Sequence, residues 1–143
     1  MAVLGSSACA IILAILVAKA IGEGVQLTMP TTLITTAEYD ALFDDQIRAN
    51  PVMMYAGAYC GNSRASKNMF NTQYPTLRYS YIDYDRAPGG DWIMYSSVKR
   101  SGSTKLPQVY LCGKYIGGKP ALFQMRDNGT LNACLRSCAG YNA

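Results

Sequence analysis

The stretch "YAGAYCGNSRASKNMF" (residues 55–70) changes character at one residue, Cys60. Upstream, "PVMMYAGA" (residues 51–58) is an apolar run that reads as a short buried strand. Downstream, Ala65, Met69 and Phe70 recur at helical spacing until Tyr74-Pro75 stops the pattern. A strand therefore delivers Cys60 to the start of a helix. A thiol there meets first-turn N–H groups that lack intrahelical partners, and the positive end of the helix dipole. Both favour thiolate, and sites of this kind lower a cysteine pKa from about 8.5 into roughly the 3.5–7.5 range. Thiolate is the species that attacks a disulfide. Gly61 leaves the approach to the sulfur open. The plainer reading of Cys60 is a small residue at a turn, since free cysteine packs as a small hydrophobe.

Composition narrows the chemistry to sulfur. The chain has 143 residues, half of them hydrophobic and 15% charged, which suits one globular domain with its own core. It contains no histidine. That removes Ser-His-Asp and Cys-His activation and most zinc and haem sites, so no metal is expected. The net charge of +4 is spread along the chain without a basic run, so nucleic acid is not expected as a partner. Five cysteines carry what chemistry remains.

Residues 1–20 read as a segment apart. "ACAIILAILVAKA" holds an apolar core from Ala8 to Ala18 with an Ala-x-Ala pattern at Ala18 and Ala20. The core is shorter than the roughly 20 residues that cross a bilayer and fits a signal-peptide core. The alternative is an uncleaved anchor holding the protein at a membrane. With cleavage, no stable membrane association is expected, and the location is secreted or in the secretory lumen. Asn128-Gly129-Thr130 is an N-glycosylation acceptor, which has meaning in that pathway. Residues 21–33, with Gly22, Gly24 and Pro30, read as a linker, and residues 34–143 as the domain.

Within the domain, Thr35 and Glu38 spell a capping box for a helix lined by Tyr39, Leu42, Phe43 and Ile47 and closed at Pro51. "LRYSYIDYD" (77–85) alternates as a second strand. Asp91 is placed to cap a helix that Gly102 ends. "LPQVYLCGKYIGG" (106–118) reads as a hairpin turning at Cys112-Gly113. Two short helices follow, with Gly129 between them. One β-α-β unit, a hairpin and a closing helix imply a mixed sheet of about four strands with helices on both faces, a three-layer α/β/α architecture.

Taken together, Tyr59-Cys60-Gly61-Asn62-Ser63, Leu106-Pro107-Gln108-Val109-Tyr110 and Gly117-Gly118, in this order and spacing, resemble the glutaredoxin family over about residues 35–138. The resemblance implies a thioredoxin-like fold and glutathione-dependent thiol–disulfide exchange. Because Ser63 stands where a second cysteine can stand, it implies a monothiol mechanism through Cys60. It also implies a cis peptide before Pro107, glutathione as co-substrate held along Lys105, Leu106, Pro107, Gly117 and Gly118, and glutathionylated or disulfide-containing proteins as partners. The sequence departs from the family at two places. Ala56-Gly57-Ala58 precedes the cysteine where a lysine is usual, and Lys119-Pro120-Ala121 follows the glycine pair where an aspartate is usual. Asn62 stands where cluster-binding monothiol members carry Phe, so an iron–sulfur cluster is not expected. These departures leave a second reading, a catalytically weak fold kept as a protein-binding module.

Three cysteines lie outside this motif. Cys134 and Cys138 are four apart on one helix face and are candidates for a disulfide with each other. Cys112 is an alternative partner for either, in a turn where Asn is usual.

Overall fold

The computed structural model describes residues 23–31 and 35–142. The expected signal segment over residues 1–20 lies outside the described residues.

The fold is organised on its central strand. β2 (Val52–Ala56) has all five residues buried, because helices cover both sides of it. Successive side chains on a strand point to opposite faces. Val52 and Met54 accordingly join one core with Met69, Phe70, Leu122, Leu131 and Leu135. Met53 and Tyr55 join a second core with Tyr39, Phe43, Ile47 and Ile93. A strand covered on both faces reads as an unbroken apolar run, which is how this one reads in the sequence.

The helices fall into two layers. α1 (Thr36–Ala49) and α3 (Gly90–Ser101) supply the second core. α2 (Gly61–Gln73), α4 (Lys119–Asp127) and α5 (Thr130–Ala139) supply the first. The capping box forms as read: Thr35 Oγ1 accepts from the Glu38 N–H at 3.2 Å, and the Glu38 carboxylate accepts from the Thr35 N–H at 2.9 Å. Asp91 does not cap α3. The cap is Gly89, in the left-handed conformation at φ 71°, and Asp91 sits in the first turn, where its charge still faces the positive helix end. Glycine is required at 89 because a Cβ there would meet the Tyr39 hydroxyl at 2.1 Å.

The sheet has five strands, one more than expected. β3 (Ser80–Asp83), β4 (Gln108–Leu111) and β5 (Lys114–Gly117) join β2 as predicted, and β1 (Val25–Gln26) is added at the edge in the order β1-β3-β2-β4-β5. β1, β3 and β2 run parallel; β4 pairs antiparallel with β2, and β5 antiparallel with β4. The segment read as a linker over 21–33 is thus partly structural. The Val25 and Leu27 N–H groups each donate to β3-side carbonyls at 2.8 Å, and Met29 is buried in the second core. Two residues give no alternation to detect, so only the exposed edge of β3 shows why they pair. Among the described residues no helix is long and apolar enough to cross a membrane.

Candidate functional site

Cys60 is the N-cap residue of α2. Its own backbone closes the turn: the Cys60 N–H donates to the Gly57 carbonyl at 3.0 Å, and the Arg64 N–H donates to the Cys60 carbonyl at 3.0 Å. The loop before it is fixed at two further points. The Gly57 N–H donates to Ser63 Oγ at 3.2 Å, and the Ala58 N–H donates to the Asp85 carboxylate at 2.8 Å. Gly57 has little space beside it, since a Cβ would lie 3.0 Å from the Tyr59 ring and 3.1 Å from Leu106. An ion pair between Lys67 of α2 and buried Asp83 at the end of β3 ties the helix that carries Cys60 to the sheet.

The environment of the sulfur decides its charge. Partial burial by itself pushes the thiol up. It is outweighed by hydrogen bonds from the Ser63 N–H, the Ser63 hydroxyl and the Asn62 N–H, with the Arg64 guanidinium adding attraction, so Cys60 is held below the ordinary thiol value. The helix-terminus effect expected from sequence is therefore delivered by named groups, and Ser63 is more than a stand-in for cysteine. It is fully buried, accepts from Gly57 and donates toward Cys60.

Opposite the cysteine lies the loop before β4. The Leu106–Pro107 bond is cis, as the family resemblance implied. Cys60 Sγ is 3.7 Å from the Leu106 carbonyl oxygen, across a sequence gap of 46 residues. Beneath the loop, Gln108 is fully buried and donates from Nε2 to the Ser103 carbonyl at 2.7 Å, which holds the turn against the sheet. The glycine pair completes the site. Gly118 faces Pro107, whose carbonyl a Cβ would meet at 3.2 Å, and Gly117 has φ +115°, a conformation that L side chains rarely adopt. Tyr59 is 62% exposed, and Asn62 and Lys105 are exposed as well. The Tyr59 and Tyr84 hydroxyls lie 2.8 Å apart, and that contact, with some burial, pushes the Tyr84 hydroxyl up to about 12.

Thus Tyr59, Cys60, Ser63, Leu106, Pro107, Gly117 and Gly118 converge at one end of the sheet. The reading from sequence missed Arg64, Tyr84 and Asp85, and gave Gln108 no role beyond its place in the motif. Arg64 had a signal, being one turn from Cys60 on the same helix. Tyr84 and Asp85 had none, because only the parallel pairing of β2 with β3 brings the end of β3 beside the cysteine loop.

The remaining candidates lie elsewhere. Asn128 is exposed between α4 and α5, where its side-chain oxygen accepts from the Thr130 N–H at 3.0 Å. Cys134 and Cys138 are not joined to each other. The disulfide is Cys112–Cys138, with Cα atoms 5.6 Å apart, and Cys134 is a free thiol. The cause is directional: Cβ atoms four apart on a helix point the same way rather than toward one another, whereas the hairpin turn approaches Cys138 from across the layer.

Comparison with known proteins agrees with this geometry. The chain is 26% identical over 91 residues to glutaredoxin-2 of Schizosaccharomyces pombe, covering 64% of this chain and 81% of that protein. It is 29% identical over 98 residues to the chloroplastic monothiol glutaredoxin-S12 of Arabidopsis thaliana, covering 67% of this chain and 53% of that protein, so it spans only about half the length of the latter. Among solved structures, oxidised glutaredoxin 2 from Chlamydomonas reinhardtii superposes with TM-score 0.67 at 24% identity, over 74% of this chain and 98% of that one. A buckwheat glutaredoxin–glutathione complex superposes with TM-score 0.65 at 27% identity, over 76% of this chain and 96% of that one. No family model matches the chain. The fold is thioredoxin-like, and the proteins to which this chain is similar in sequence are glutaredoxins.

Proposed function

We propose that this protein is a glutathione-dependent thiol–disulfide oxidoreductase working through Cys60 alone. The observation that carries the proposal is a half-buried thiol at a helix N-terminus, held toward thiolate by Ser63, Asn62 and Arg64 and facing the Leu106 carbonyl. In the first step the Cys60 thiolate attacks the glutathione sulfur of a glutathionylated protein. A Cys60–glutathione disulfide forms and the protein thiolate leaves. In the second step the thiolate of a free glutathione attacks that glutathione sulfur, releasing oxidised glutathione and restoring the Cys60 thiolate. Ser63 has no sulfur with which to resolve the mixed disulfide, so glutathione must do it.

In this reading the tripeptide lies between Tyr59, Lys105 and the glycine pair. Its cysteinyl backbone pairs with Leu106 beside Pro107, and its γ-glutamyl end approaches Gly117 and Gly118. Cationic Lys105 suits the glutathione carboxylates. Lys119, at the first position of α4, opposes its ammonium group, so binding is expected to be weaker than with an acidic residue there. The same lysine favours the second reading, a module that binds a protein partner and turns over slowly. Residues 1–20 and the Asn128 acceptor support placing the protein in the secretory pathway, with Asn128 carrying sugar.

The test is reduction of a small glutathione mixed disulfide by glutathione, with Cys60→Ser alongside. Turnover that vanishes in the variant establishes the monothiol enzyme. No turnover in the parent would overturn it in favour of the binding module.

A further inference from the structure

Away from Cys60, three sulfurs meet at the other end of the sheet. β2 and β4 are antiparallel, with Tyr55 opposite Gln108 nearest Cys60 and Val52 opposite Leu111 at the far end. Three residue steps at about 3.3 Å each put roughly 10 Å of strand between the two ends. Cys112 follows Leu111 there, and α5 brings Cys134 and Cys138 against it. The three sulfurs all lie within 4.8 Å of one another, and Cys134 Sγ is 3.2 Å from Cys112 Sγ.

The Cys112–Cys138 bond accounts for only two of them. Cys134 is the surplus: its sulfur rests against the disulfide and is half-buried. Cys112 is also held at φ 52°, alone among the described non-glycine residues in having positive φ. That conformation disfavours residues other than Gly, Asn and Asp. A sulfur is therefore placed on the turn at some backbone cost and aimed at a helix face presenting two more at i, i+4 spacing.

We propose that, once the Cys112–Cys138 bond is reduced, Cys112, Cys134 and Cys138 bind a single thiophilic d10 ion such as Zn²⁺. Composition without histidine gave no reason to expect a metal; the clustering does. Reduction takes two electrons and two protons from a thiol reductant, two molecules of which become its disulfide. The ion then displaces three thiol protons and forms three metal–sulfur bonds, leaving a fourth position for water. At a Zn–S distance of about 2.3 Å, tetrahedral geometry needs sulfurs about 3.8 Å apart. The three sulfurs already lie within 4.8 Å of one another; the bonded pair must separate, and the 3.2 Å Cys112–Cys134 distance must widen slightly. Three thiolates select soft ions over Mg²⁺ or Ca²⁺. Lys114, two residues from Cys112, offsets part of their charge. Disulfide and metal are mutually exclusive, and each pins the β4–β5 hairpin to α5. The site is thus loaded only where the surroundings keep the bond reduced. It is independent of the chemistry assigned to Cys60.

The experiment uses the full chain with Cys9 and Cys60 changed to serine, reduced with a phosphine, and titrated with Zn²⁺ against a chromophoric chelator. One equivalent should bind, and oxidised glutathione should release it. Cys134→Ser should weaken binding by at least roughly 100-fold, the upper end of what losing a mere outer-shell partner costs. Absence of binding in the reduced parent, or unchanged affinity in a folded Cys134→Ser variant, would overturn the proposal. Should that variant fail to fold, Co²⁺ bound to the parent counts its thiolates through sulfur-to-cobalt absorption. An intensity for three supports the site, and an intensity for two or fewer sinks it.

Discussion

The two thiol sites at opposite ends of the sheet show how one atom type is tuned in opposite directions. At Cys60 burial is modest, and it is overcome by N–H and O–H donors and a guanidinium, so the thiol is lowered. At Cys134 burial dominates and the Lys114 charge offsets it only in part, so the thiol is raised. The difference lies in backbone direction. Cys60 sits where a helix begins and N–H groups point out at it, while Cys134 lies one turn inside a helix whose N–H groups are already engaged. The direction of the shift follows the donors rather than the cysteine.

The comparison is broken or sharpened most strongly by removing the sulfur itself. Cys60→Ser should bring glutathione-dependent reduction of a mixed disulfide to the uncatalysed rate while circular dichroism stays unchanged. Surviving turnover would place the nucleophile elsewhere. At the other end, Cys112→Ser should leave the alkylation rate of Cys60 unaltered but lower the stability of the oxidised protein, since Cys134 and Cys138 on one helix face cannot replace the bond. The bond closes a 26-residue separation, and losing such a cross-link costs roughly 2–4 kcal/mol. Urea unfolding with and without reductant measures it, and equal midpoints for parent and variant under oxidising conditions would refute it.

Ser63→Ala tests the donors. It leaves the buried Gly57 N–H unpaired, at a cost of about 1–3 kcal/mol, and removes one hydrogen bond to the Cys60 sulfur. Urea unfolding should show the lost stability, and the midpoint of pH-dependent alkylation at Cys60 should rise. A midpoint that stays put would mean that the backbone N–H groups suffice. Arg64→Gln should raise the same midpoint by less, since its attraction is the smallest of the named causes.

The smallest effect is on stability against pH. The folded Cys60 pKa lies below its unfolded value of about 8.5. Ionisation therefore stabilises the fold fully above pH 8.5, and that contribution fades as pH falls through the folded value. A parent-minus-Cys60→Ser difference in unfolding midpoint should grow with rising pH over that window. A difference independent of pH would show that the thiol is not lowered.

Much of this was legible in the chain itself. The capping box at Thr35 and Glu38, the buried run of β2 ending at Cys60, and the hairpin turning at Cys112-Gly113 each depend on neighbours within a few residues. Gly102 as the stop of α3 belongs with them. Their physics is local hydrogen bonding and periodicity, so their order alone pointed to the α/β architecture and to a cysteine at a helix N-terminus. The cis bond at Leu106–Pro107 came with the family resemblance.

Tertiary structure decided what depends on elements distant in sequence. β1 exists because β3 offers an open edge. Gly89 displaced Asp91 as a cap because Tyr39 packs against that turn. Asp85 and Tyr84 reached the Cys60 loop through the parallel pairing of β2 and β3, and Cys112 found Cys138 because the hairpin meets α5. A sequence fixes which groups a short segment can offer. Which of those groups meet is set by packing the layers, where burial of Val52, Met54, Phe70, Leu122 and Leu135 on one side of the sheet brings remote turns into contact.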